Sequence, residues 1–261
     1  VESCRILLNK GASPNTADLQ GRTPLGVAIY NENSTLVDLL LQFGASPNIQ
    51  DARGETALSL AVGKRQYDLV ERFLTKSEGV DVEVVDKRGH SALMKAAFMG
   101  DKKMCDLLIT VGKAQVYKKG PLGFSTVHMA VKGGHDECIV LLLERGADLE
   151  AVDNEGWTPL ILAANEGQLR VVKTLLDRKA RIDHRDERSR TALMQAVHNG
   201  HDEVVQVLCE RKADLKIKGP DGWTAVLVAA SVGDTDCLAI LLKHGASLTD
   251  LSITKGNVIH I

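Results

Sequence analysis

The sequence predicts an all-α solenoid of helix-turn-helix repeats, each about 33 residues long and joined by hairpin-like loops. Three observations predict it. The segment Asp153-Asn-Glu-Gly-Trp-Thr-Pro-Leu160 returns in weaker form along the chain. The starts of the copies are almost evenly spaced. Apolar residues inside each copy recur at helical spacing rather than alternating as in a strand.

The copies are Gly21-Arg-Thr-Pro-Leu25, Gly54-Glu-Thr-Ala-Leu58, Gly89-His-Ser-Ala-Leu93, Gly123-Phe-Ser-Thr-Val-His128, Ser189-Arg-Thr-Ala-Leu193 and Gly222-Trp-Thr-Ala-Val226. They begin at Asp18, Asp51, Asp86, Gly120, Asp153, Asp186 and Gly219, and a further start falls near Ser252. Successive separations are 33, 35, 34, 33, 33, 33 and 33 residues.

Each element of the unit has a physical reason. The glycine at the fourth position supplies the backbone freedom of a tight turn. Thr or Ser two residues later caps a helix. Pro24 and Pro159 suit the first helical turn, where an amide hydrogen has no partner. Leu160, Ala163 and Ala164 share one helical face, and the small alanines let neighbouring layers approach. Gly167 breaks that first helix. Val171, Val172, Leu175 and Leu176 form the inner stripe of a second. Gly146-Ala147-Asp148 and Gly245-Ala246-Ser247 mark where such second helices stop. One unit cannot bury its own apolar face, so units must stack.

This pattern resembles the ankyrin repeat, whose mark is Thr-Pro-Leu-His-x-Ala. The resemblance covers essentially the whole chain. Only Thr23-Pro24-Leu25 and Thr158-Pro159-Leu160 keep Thr-Pro-Leu, and only His128 keeps the histidine. The organisation expected is seven full repeats at 18–50, 51–85, 86–119, 120–152, 153–185, 186–218 and 219–251. Residues 1–17 read as the second half of a preceding repeat. Residues 252–261 read as the start of another, with His260 near the histidine position. The expectation is that this is a piece of a longer array, with more repeats on both sides.

Composition narrows the function. Formal net charge is −2, without the strongly basic balance of a nucleic-acid-binding domain. No apolar run reaches the roughly 18 residues that span a bilayer, and the N-terminus lacks the pattern of a signal peptide. Neither nucleic-acid binding nor membrane insertion is expected, and the array is expected to be monomeric. Cys4, Cys105, Cys138, Cys209 and Cys237 are widely spaced and form no CxxC pair, which points to a reducing compartment, cytosol or nucleus. All five fall on second helices, near core positions. His135 and His201 follow the inter-helix glycine and are expected to bond neighbouring backbone. His198 and His201 flank a turn rather than a helix interior. No phosphate-binding GxxxxGK[ST] segment is present. The reading is not an enzyme, with no catalytic residue, metal or cofactor.

The resemblance implies a binding groove. In ankyrin proteins the second, third and fifth repeat positions point from the hairpin tips, and the thirteenth and fourteenth lie on the groove floor. The first tips carry Arg22, Arg53, Lys87, Arg88 and His90, with Lys64 and Arg65 nearby, so this half reads as basic. Later tips carry Phe124, Trp157, Arg188, Arg190 and Trp223. Phe98, Met99, Asn165, His198 and Val232 belong to the floor. The two tryptophans share one tip position and Phe124 matches it. Tryptophan and arginine are enriched among interface hot spots. The function implied is a scaffold that binds an extended or helical partner segment with acidic and apolar residues. Two alternatives stand beside it. One is an intramolecular regulatory or spacer module of a channel, ligase or kinase. The other is small-ligand or nucleotide binding between tips.

Asn15 and Asn48 lie in Ala-Ser-Pro-Asn segments, where ankyrin asparagines can be hydroxylated, although a loop-ordering role is the alternative. Lys179, Ser189 and Lys212 stand where glycine is usual. Their clustering implies faster amide exchange in 153–218 than in 120–152.

Overall fold

A computed structural model describes residues 1–247 of the chain apart from 77, 78 and 121. The expected start near Ser252 and His260 lie outside the described residues. The chain divides into two compact units, Val1–Pro121 and Leu122–Ile261.

Unit one opens with α1 (Glu2–Asn9). Three helical hairpins follow. They pair α2 (Pro24–Tyr30) with α3 (Ser34–Gln42), α4 (Ala57–Gly63) with α5 (Tyr67–Lys76), and α6 (Ala92–Phe98) with α7 (Lys102–Thr110). Within the unit the first helices stack in the order α2, α4, α6, and α5 packs on α7. Unit two repeats the arrangement. It pairs α8 (Thr126–Gly133) with α9 (Asp136–Glu144), α10 (Pro159–Asn165) with α11 (Leu169–Asp177), α12 (Ala192–His198) with α13 (Asp202–Glu210), and α14 (Ala225–Val232) with α15 (Thr235–Lys243). A single 3-10 turn, Pro220–Gly222, precedes α14. No β-strand occurs among the described residues, only an isolated bridge between Val85 and Ser91.

The sequence explains why the first helices are short. Thr23, Thr56, Ser91, Ser125, Thr158 and Thr191 each accept a backbone N–H of the first turn, which fixes the start. Thr224 occupies the same place without making that bond. A left-handed residue ends most of these helices two or three residues past the apolar stretch. It is Gly100, Gly134, Gly167, Gly200 or Gly233, with φ between 67° and 74°. Burial follows the expected stripes: Leu160, Ala163 and Ala164 are inside, as are Val171, Val172, Leu175 and Leu176.

The tips are built on a repeated aspartate. Oδ1 of Asp51 accepts the N–H groups of Arg53 and Glu55 at 2.8 and 2.9 Å, and Asp18, Asp86, Asp153 and Asp186 do the same. Each tip then bonds to the next through backbone. Ala52 N–H donates to the Gln20 carbonyl (2.9 Å), Lys87 to Arg53 (2.9 Å), Asn154 to Leu122 (3.1 Å) and Glu187 to Glu155 (3.1 Å). The tip glycine is required twice over. At Gly54 φ is +80°, and a Cβ would meet the Lys87 nitrogen at 2.7 Å. The tip that carries Ser189 instead (φ 61°) faces Pro220, which has no N–H and so makes no such ladder bond.

Left-handed non-glycine residues are not confined to 153–218. Glu32, Arg65 and Lys113 in unit one adopt φ of 55–58°, beside Lys179, Ser189 and Lys212 in unit two, while the described residues of 120–152 hold none. Glu32 and Arg65 sit at the inter-helix turn, where five other repeats place glycine.

Asn15 and Asn48 act as loop fasteners. Asn15 Oδ1 accepts the Ser46 N–H (2.7 Å) and its amide donates to the Gly44 carbonyl (3.3 Å). Asn48 Oδ1 accepts the Asp81 N–H (3.0 Å) and its amide donates to Gly79.

Two substitutions separate left-handed strain from the clash added at a tip. Gly54→Ala combines left-handed strain with a backbone clash and should lower unfolding free energy by about 2 kcal/mol or more, whereas Lys212→Gly, which relieves strain, should raise it by about 1 kcal/mol. Urea unfolding followed by circular dichroism checks both.

Candidate interaction surface

In unit one the tips of successive hairpins present cations. Arg53, Lys87 and Arg88 are exposed, and among the described residues no carboxylate forms an ion pair with any of them. Arg22 differs. Its guanidinium binds Asp18 (Nη2–Oδ2 2.7 Å) and holds that carboxyl below the usual range, mainly through the side-chain hydrogen bond. Arg65 is also occupied, lying 3.6 Å from Asp101 and donating to the Met99 carbonyl (3.2 Å). His90 is half-buried, with Nδ1 3.8 Å from Asp86. The basic half is thus carried by Arg53, Lys87 and Arg88 at the tips and by Lys64 beside Tyr30, while Asp18 and Asp101 pair with Arg22 and Arg65.

Beside these tips is a cavity of about 290 Å³ between α2 and α4, bordered by Arg22, Val27, Tyr30, Arg53 and Leu60. Tyr30 is 60% exposed, and Lys64 Nζ sits 4.2 Å from its ring centre. The sequence reading passed over Tyr30 and Val27. Tyr30 occupies the same thirteenth position as Phe98, so the floor register was the signal that would have found it. Phe98 itself is 47% exposed and Met99 half-buried.

In unit two the aromatic tips are less open than their positions imply. Trp157 is half-buried, and its indole Nε1–H donates to Asp186 Oδ2 at 3.1 Å. The Arg190 guanidinium lies 5.7 Å from the Trp157 ring centre and donates through Nε to the same Asp186 oxygen (2.8 Å). Asp186 also accepts two backbone N–H groups, so this buried carboxylate has its bonds made. Phe124 is half-buried against His128, with ring centres 5.7 Å apart and Lys132 Nζ 5.0 Å from the Phe124 ring. His128 is fully buried. Its Nδ1 accepts the Ser125 N–H (3.3 Å), and its Nε2 donates to the Trp157 carbonyl (2.9 Å). Trp157 and His128 therefore couple neighbouring hairpins inside the unit, whereas Phe124 packs within its own hairpin.

Trp223 and Arg190 meet at a second cavity of about 290 Å³, bordered also by Met194, Gln195, His198, Pro220 and Val228. Arg188 is exposed at the neighbouring tip. His201 bonds as its position implies, through Nε2 to the Asn165 carbonyl (3.0 Å). His135 begins α9 without a side-chain capping bond.

The thiols are placed as small core residues. Cys105, Cys138, Cys209 and Cys237 are buried, and Cys4 is partly exposed on α1. Burial pushes the Cys209 thiol up to about 11. Burial first, then the hydrogen bond to Asp234, pushes Cys237 to about 12. Neither is a thiolate at neutral pH. Among the described residues no group of three or more His, Cys, Asp or Glu is placed to hold a metal, and no helix is long and apolar enough to cross a membrane.

Comparison with known proteins agrees with this architecture. Models of ankyrin repeats in three copies match residues 25–119, 93–186 and 179–252, and a model of ankyrin repeats in many copies matches residues 1–41. The chain is 35% identical over 88 residues to the probable 26S proteasome regulatory subunit p28 of Saccharomyces cerevisiae, covering 33% of this chain and 38% of that one. It is 34% identical over 85 residues to human ankyrin repeat and SOCS box protein 3, covering 32% and 16%. It is 38% identical over 61 residues to human protein phosphatase 1 regulatory subunit 27, covering 23% and 40%. The matched stretches are thus well under half the length of these relatives. The fold is similar to the crystal structure of the ankyrin repeat domain of Bcl-3, a member of the IkappaB protein family. That similarity has a TM-score of 0.73 and 28% identity over 85% of this chain and 99% of that one.

The thiol geometry gives an ordered prediction. Iodoacetamide at pH 8 should label Cys4 in the folded protein and leave Cys105, Cys138, Cys209 and Cys237 unlabelled until denaturant is added. Peptide mass spectrometry reads the order; early labelling of Cys209 or Cys237 would show that their helices open readily.

Proposed function

The chain belongs to the ankyrin-repeat family, and on that premise we propose that it binds a partner protein through its hairpin tips and the exposed faces of its first helices. The single observation that carries the reading is the set of exposed cations Arg53, Lys87 and Arg88, unpaired with acids among the described residues. Tip charges that serve only solubility gain nothing from standing on consecutive tips beside a cavity walled in part by Val27, Tyr30 and Leu60. Acidic residues of a partner complement them, and such charges act mainly on encounter rate and specificity. Apolar residues of the same partner suit Tyr30 and Val27 beside these tips. An ordinary interface of roughly 800 Å² per side occupies only part of such an array.

The names of the relatives support the same class of role: one is a proteasome regulatory subunit and another a phosphatase regulatory subunit. On this reading the chain is not an enzyme, and its place is the cytosol or nucleus.

Reversing the charges with Arg53→Glu, Lys87→Glu and Arg88→Glu together tests the proposal. These side chains form no ion pair among the described residues, so circular dichroism and melting temperature should stay unchanged. Partners captured from cell extract by the original chain should be lost by the variant, and association rates should fall by at least about tenfold at low salt. Equal capture by both would refute the role of the basic tips.

A further inference from the structure

The cavity between α2 and α4 has its cause inside the repeat. Gly26 stands at the ninth repeat position, which elsewhere holds Ser59, Met94, His128, Ile161, Met194 and Leu227. All six of those side chains are buried, so the position normally fills its own layer. Gly26 supplies no side chain, and it borders the cavity of about 290 Å³. Glycine within a helix is otherwise the unfavourable choice. A Cβ here would meet only Leu60 Cδ1 (3.4 Å) and Thr23 Oγ1 (3.6 Å), which are ordinary contacts. Crowding therefore does not require the glycine. What it leaves is space.

The chain itself shows what fits such a space. In α8 the ninth residue is His128. Its Nδ1 lies 2.8 Å from the Ser125 hydroxyl, and its Nε2 donates to the carbonyl of Trp157, the fifth residue of the next repeat (2.9 Å). Both groups have counterparts beside Gly26. Thr23 takes the place of Ser125: its Oγ1 accepts the Gly26 N–H (3.1 Å) as Ser125 Oγ accepts that of His128 (3.4 Å). Glu55 takes the place of Trp157. Its carbonyl accepts the Asp51 N–H (3.0 Å) as the Trp157 carbonyl accepts that of Asp153 (3.1 Å). The second bond, which His128 gives to Trp157, is given to the Glu55 carbonyl by no side chain among the described residues. Thr23 and Glu55 both border the cavity, with Arg22, Asp51 and Arg53.

The geometry points to a seat in this cavity for the imidazole of a partner histidine. The inference rests on the protein-binding reading above and names the residue that the partner inserts beside the basic tips. The ring is neutral. Its Nε2–H donates to the Glu55 carbonyl and its Nδ1 accepts the Thr23 hydroxyl proton, which reproduces the bonds of His128. A cavity made by a missing group takes up a separate molecule of matching shape. An aliphatic side chain would fill the space but offer the Glu55 carbonyl no donor, and it would face the polar border of Arg22, Asp51 and Arg53. A carboxylate next to the histidine meets Arg53, which is exposed and in no ion pair among the described residues. Further acids reach Lys87 and Arg88 on the next tip.

The test is NMR of the isotope-labelled full chain at pH 8, where a peptide histidine is neutral, titrated with three capped peptides. Glu-His-Glu-Glu should shift the Gly26 and Glu55 amide signals saturably, with the roughly millimolar affinity expected of so small a ligand. Glu-Ala-Glu-Glu should shift Arg53, Lys87 and Arg88 alone. Glu-Leu-Glu-Glu should bind at least about threefold more weakly than the histidine peptide, the loss of one neutral hydrogen bond. Gly26→His fills the seat from within. That variant should melt above both the original and Gly26→Ala, which removes the helix glycine without filling the cavity. It should also bind the histidine and alanine peptides equally. If the histidine peptide leaves Gly26 and Glu55 unmoved while the tips respond, the seat is wrong and the protein-binding reading stands. If no peptide moves any of these signals, both fail. Equal affinity for the leucine and histidine peptides, or a Gly26→His variant that melts below Gly26→Ala, also overturns the seat.

Discussion

Each helical hairpin passes through left-handed backbone at three places: the tip, the turn between its helices, and the end of its second helix. In the hairpin of α8 and α9 these are Gly123, Gly134 and Gly146; in that of α10 and α11 they are Gly156, Gly167 and Lys179. This constraint sets helix length, because a helix cannot continue through such a residue. It sets the period, because the three turns must recur in step for neighbouring hairpins to stack. It also sets how closely tips approach, since a Cβ at Gly21, Gly54, Gly123 or Gly156 would strike the next tip's backbone.

Within that frame, tolerance is local. The tip turn accepts Ser189 where the following tip carries Pro220, and the other two turns accept Glu, Arg or Lys because they face solvent. Side chains therefore enter the left-handed positions where strain is the only cost, and stay out where a clash would be added. The same division separates scaffold from recognition. Buried caps and alanines repeat faithfully, while charges and aromatics at the tips change from one hairpin to the next.

The tips show how one residue type serves both ends. Trp157 ties its hairpin to the next through Asp186, and Arg190 bonds that same carboxylate. Among the described residues Trp223 bonds no such aspartate and borders a cavity instead. Equivalent sequence positions thus hold a strut in one hairpin and a cavity wall in another.

The sequence by itself determined the repeat, its caps, its turns and its buried stripes, because these depend on residues within one period: Thr158 capping Ile161, Gly167 ending α10, Leu175 beside Leu176. It also placed the candidate tip residues by register. Only the tertiary structure decided which of them remain available. Among the described residues Arg53 and Lys87 stay unpaired while Arg65 is held by Asp101 and Trp157 is spent on Asp186. The partners that settle these fates come from adjacent hairpins, 29 residues away for Trp157 and Asp186 and 40 for Lys95 and Glu55. A repeat pattern states that such neighbours exist. Which donor meets which acceptor depends on side-chain reach across the stack, and local sequence carries no record of that.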